Sequence, residues 1–62
     1  MKTMIIDLEL NDREALALAQ FVKRLGWKEI RINAVDDDEA YTMRSAINHL
    51  QTALSRNGYA PR

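Results

Sequence analysis

Sixty-two residues hold one domain at most, and a chain this short buries only about 60% of the surface its unfolded form exposes. Without a cysteine it has neither disulfides nor thiolate metal sites, and its single histidine, His49, leaves a structural zinc site with only carboxylates to complete it. Nine basic and nine acidic residues cancel, which removes the broad positive field that holds a nucleic-acid backbone or an anionic membrane.

Along the chain, Thr3 to Leu10 alternate, with Met4, Ile6, Leu8 and Leu10 on one side and Thr3, Ile5, Asp7 and Glu9 on the other. That is the period-2 pattern of a half-buried strand. Asn11-Asp12-Arg13-Glu14 then reads as a helix start, in which Asn11 caps the free N–H groups and Glu14 completes a capping box. Ala15, Leu18, Ala19, Val22 and Leu25 share one face of this first helix, and Lys23 and Arg24 sit in its last turn, where cations are favoured. Gly26 is expected to end it in the left-handed conformation. Leu16 and Phe21, on opposite shoulders of the stripe, widen it beyond what one small strand covers.

Residues 27–35 are ambiguous: Ile30, Ile32 and Ala34 alternate like a strand, while Trp27, Ile30 and Ala34 match a helical turn. An irregular or helical turn is preferred, which leaves the first strand without a partner in its own chain. Asp36 followed three residues later by Glu39 is a second capping pair, so the acidic run Asp36-Asp37-Asp38-Glu39 opens a helix rather than a calcium loop, whose spacing it lacks. This helix is expected from about Asp37 to Asn57, with Ala40, Met43, Ile47, Leu50 and Leu54 as its seam. Asn57-Gly58 closes it and Pro61 prevents resumption.

These elements predict one α+β domain over residues 1–62, in the order β-α-turn-α. Its core would be Met4, Ile6, Leu8, Leu10, Leu18, Val22, Leu25, Met43, Ile47, Leu50 and Leu54. A strand with no intrachain neighbour must pair with another protomer. The reading is therefore a homodimer through the strand, with Met4, Ile6, Leu16 and Phe21 at the contact. No apolar run nears the roughly 18 residues that span a bilayer, and Asp7 and Glu9 interrupt the start where a signal peptide is apolar. A cytoplasmic protein without membrane insertion is expected.

No constellation supports catalysis. His49 lies near Ser45 and Thr52 on a polar helix face, without an orienting acid or an oxyanion hole. No glycine-rich phosphate loop exists, and no metal or other cofactor is implied. Tyr41, Ser45, Asn48 and Thr52 lie opposite the apolar seam, where a solvated face is the plainer reading and a partner-binding stripe the sharper one. Tyr41, Arg44, Ser45 and Asn48 are its candidate contacts. Lys23, Arg24, Lys28 and Arg31 around Trp27 form the one basic cluster, the basis of an alternative nucleic-acid-binding regulator. Against it, two of those charges suit a helix C-terminus, and a tryptophan usually fills a small core.

The stretch from Ala34 to Arg44, the helix to Leu54 and the ending Asn57-Gly58-Tyr59-Ala60-Pro61-Arg62 resemble a group of short uncharacterised proteins of bacteria, their phages and other mobile elements. The resemblance covers nearly the whole chain and implies an accessory protein of a mobile element, with no catalytic motif to carry over. By analogy of size and composition the chain is also similar to small phage proteins that block host defence, anti-CRISPR proteins among them. The function expected is thus non-enzymatic binding of a host protein.

Overall fold

The structure, a computed structural model, describes residues 2–59. Three helices occupy them: α1 (Asp12–Arg24), α2 (Trp27–Ile32) and α3 (Asp37–Arg56). The α+β expectation is overturned, because among the described residues there is no strand and the domain is all-α. Residues 27–35 decide the matter. Trp27–Ile32 coil into α2, so nothing among the described residues offers the alternating segment before α1 an edge to pair with. Backbone groups of residues 2–10 make no hydrogen bond to one another or to the rest of the described chain. Met4, Ile5, Ile6 and Leu8 are 63–92% exposed there, so none of them belongs to the core.

Helix α1 begins as its sequence dictates. Asn11 Oδ1 accepts from the Glu14 backbone N–H at 2.7 Å, and Glu14 Oε1 accepts from the Asn11 N–H at 3.1 Å, a reciprocal capping box. Its end differs from expectation. Leu25 and Gly26 are both extended, at φ −71° and −101°, because Gly26 is already the N-cap of α2. Gly26 thus needs no left-handed conformation, and it gives α2 no side-chain cap. A β-carbon there would meet only the mobile end of Glu29, at 3.4 Å. Gly26→Ser is therefore expected to stabilise the fold by about 0.5–1 kcal/mol, by capping the Glu29 N–H and restricting the unfolded chain. Urea unfolding of the two proteins checks this, and a lower midpoint for the variant contradicts it.

The α2–α3 connection is short and tied at both ends. Arg31 Nε donates to Asp37 Oδ1 at 2.6 Å and its Nη1 to the Ala34 carbonyl at 3.2 Å. Asp36 caps α3 by accepting from the Glu39 N–H at 2.8 Å. Glu39 does not return the bond to Asp36; it accepts from the Val35 N–H at 3.0 Å, one residue earlier. At the far end of α3, Gly58 takes φ +90°, its N–H bonding to the Ser55 carbonyl and the Tyr59 N–H to that of Leu54. These two bonds are the Schellman closure, which requires a residue that tolerates positive φ. The stop expected at Pro61 lies outside the described residues.

Tyr59 then reaches back across the fold, its hydroxyl donating to Asp12 Oδ1 in the first turn of α1. The hydrogen bond to that carboxylate, then desolvation and the carboxylate's charge, hold the hydroxyl above its ordinary pKa of 10.0. A raised folded-state pKa means the protonated form is favoured by folding, so this tie is fully present below about pH 10 and is lost as pH climbs through the folded value. The difference in thermal midpoint between wild type and Tyr59→Phe is expected to hold steady up to about pH 10 and to shrink above it. A difference that stays constant in alkali would contradict the tie.

Helix α3 is the spine: α1 and α2 each pack against it and not against one another. The buried side chains are Ala15, Ala19, Val22, Ile30, Ala40 and Leu54. Of the expected core, Val22 and Leu54 are buried, while Leu10, Leu18, Leu25, Met43, Ile47 and Leu50 are half-buried. Small residues carry the crossings because they let helix backbones approach closely. The result is a slab of 34 × 28 × 15 Å.

Candidate partner-binding face

Two elements build the most distinctive surface. Trp27 is the first residue of α2, and Tyr41 lies one turn into α3. The tight α2–α3 connection, pinned by Arg31 and Asp37, folds them together. Their ring centroids are 4.9 Å apart with planes inclined by 37°, within the range of favourable aromatic pairs. Arg44, one turn beyond Tyr41, places its guanidinium carbon 5.3 Å from the Trp27 ring centroid and 5.5 Å from that of Tyr41. Both distances fall inside the roughly 6 Å reach of a cation–π contact. Trp27 keeps 39% of its surface exposed and Tyr41 keeps 56%, so the stack faces solvent.

Tyr41 and Arg44, identified from helical spacing, are thus brought together, and Trp27 joins them from another element. The expectation that Trp27 fills the core is corrected: α2 is too short to enclose it, and its ring leans on Tyr41. Ser45 and Asn48 are exposed one and two turns along α3 from Tyr41, where helical spacing of four and seven residues keeps them on its side. Thr52, next in that row, turns its hydroxyl back onto the Asn48 carbonyl at 3.0 Å. Beside the stack an open depression is lined by Trp27, Lys28, Arg31, Ile32 and Ala34.

The basic residues are less concentrated than their sequence spacing suggests. Lys23, Arg24 and Lys28 are exposed on α1 and α2, but Arg31 is committed to Asp37 and the Ala34 carbonyl. In the acidic run Asp36 is committed to the α3 cap, Asp37 to Arg31 and Glu39 to the Val35 amide. Among the described residues, no three carboxylate or histidine side chains converge as a metal would require. His49 is exposed on α3. Met4, Ile6, Leu16 and Phe21, the expected dimer contacts, are all exposed. No helix among the described residues is long and apolar enough to cross a membrane.

Compared with known proteins, the chain matches one family model, described as a family of unknown function, over residues 1–62. No curated protein and no solved structure matches it.

Proposed function

The chain belongs to the DUF7706 family of unknown function, and from its geometry we propose that it works as a non-catalytic protein-interaction module. Its binding face is the stack of Trp27, Tyr41 and Arg44, flanked by Ser45 and Asn48. One observation carries this reading: the chain's one tryptophan, a tyrosine and an arginine are held in mutual contact at the surface. Tryptophan, tyrosine and arginine are the residue types in which interface energy concentrates. Prior stacking also restrains their rotamers, which lowers the entropy cost of ordering them against a partner.

A protein suits this face better than a nucleic acid. The chain is neutral overall, Asp36 to Glu39 lie just before Tyr41, and Arg31 is already paired. On the resemblance to short proteins of phages and mobile elements alone, we place the partner among host proteins.

The test compares proteins retained from host extract by wild type, Trp27→Ala, Arg44→Ala and a control, Arg56→Ala at the exposed end of α3, with affinities then measured on the purified partner. One protein held by wild type and control is expected to bind about 30-fold more weakly to each stack variant, the equivalent of about 2 kcal/mol. Equal retention by all four removes the site assignment. Retention of single-stranded nucleic acid alone, weakening steeply with salt and lost in Lys23→Glu and Lys28→Glu, replaces the reading with the nucleic-acid one.

A further inference from the structure

The shape of the molecule raises a question that the aromatic stack does not answer. Stable domains bury each helix's apolar stripe against its neighbours, and here α1 and α2 each meet only α3. The chain exposes 5588 Å² where a compact monomer of 7.1 kDa exposes roughly 4,100 Å². Its radius of gyration is 12.6 Å where about 10.6 Å is expected of 62 residues. Among the described residues no large side chain is fully buried, while Met4, Ile5, Ile6 and Leu8 before α1, and Leu16 and Phe21 on it, are more than half exposed.

We propose that a second copy of this chain covers this surface, so that the folded unit is a two-fold homodimer. The area fits. The excess of about 1,500 Å² more than matches the roughly 800 Å² that each partner loses in an interface of standard size. The need fits as well: the chain has no cysteines to staple so small a core, and a copy of itself is present wherever the chain is made.

Sedimentation and light scattering test this over a hundredfold dilution from about 100 µM, a range in which a stable dimer persists. The expected result is twice the chain mass of 7.1 kDa, with a thermal midpoint that falls on dilution. Ile6→Lys and Phe21→Lys are each expected to weaken association by at least a hundredfold, whereas Tyr41→Ala leaves it unchanged. If either lysine variant is unfolded, the concentration dependence of the wild-type midpoint still decides. A single-chain mass with a midpoint independent of concentration overturns the proposal. So does an open-ended assembly, and so does a dimer untouched by both lysine substitutions.

Discussion

Ala40→Leu is expected to lower the thermal midpoint by roughly 12–24 °C at fixed protein concentration, the equivalent of about 3 kcal/mol. Among the described residues Ala40 alone has no exposed surface, and it sits in the first turns of α3. At a site with no exposed surface, three added carbons must displace the side chains or the helix packed against it. Overpacking costs about 1–3 kcal/mol in a well-filled site, and a lone core of this size supplies only about 3–5 kcal/mol. Calorimetry on the variant checks the shift, and circular dichroism reports whether α3 survives. An unchanged midpoint would mean the packing around Ala40 has room to spare.

Leu54→Ala is expected to cost about 2–4 kcal/mol, read as a lower urea midpoint at unchanged slope. Leu54 is the largest buried side chain in the second half of α3, and its carbonyl accepts from both the Asn57 and Tyr59 amides. Its removal therefore leaves a cavity beside the closure that directs Tyr59 toward Asp12. Leu54→Met, which nearly conserves volume, is expected to cost less than about 1.5 kcal/mol. Equal losses for the two substitutions would show that the site does not depend on filling.

The helices were legible where local chemistry governs. Asn11 with Glu14 marks the start of α1, Asp36 with Glu39 that of α3, and Asn57-Gly58 its end; none of these signals needs information from elsewhere in the chain. The segment before α1 was not legible. Alternation from Met4 to Leu10 records which side chains seek burial, but a strand exists only where another backbone accepts its hydrogen bonds, and α2 withdrew the only candidate. Gly26 misled for a related reason: a glycine after a helix ordinarily ends it in a left-handed turn, but here it opens the next helix at once. Spacing along α3 grouped Tyr41 with Arg44, Ser45 and Asn48. It carried no hint of Trp27, fourteen positions away from Tyr41, because that meeting depends on how Arg31 and Asp37 close the intervening turn.

The placement of Trp27 also furnishes an intrinsic optical probe. It is the sole indole in the chain, partly open to water, with a phenol and a guanidinium against its ring. Whatever docks on that ring must expel water from it and disturb the neighbouring cation. Its emission wavelength and yield therefore report occupancy of this one patch directly, without a label and without interference from any second fluorophore of its kind.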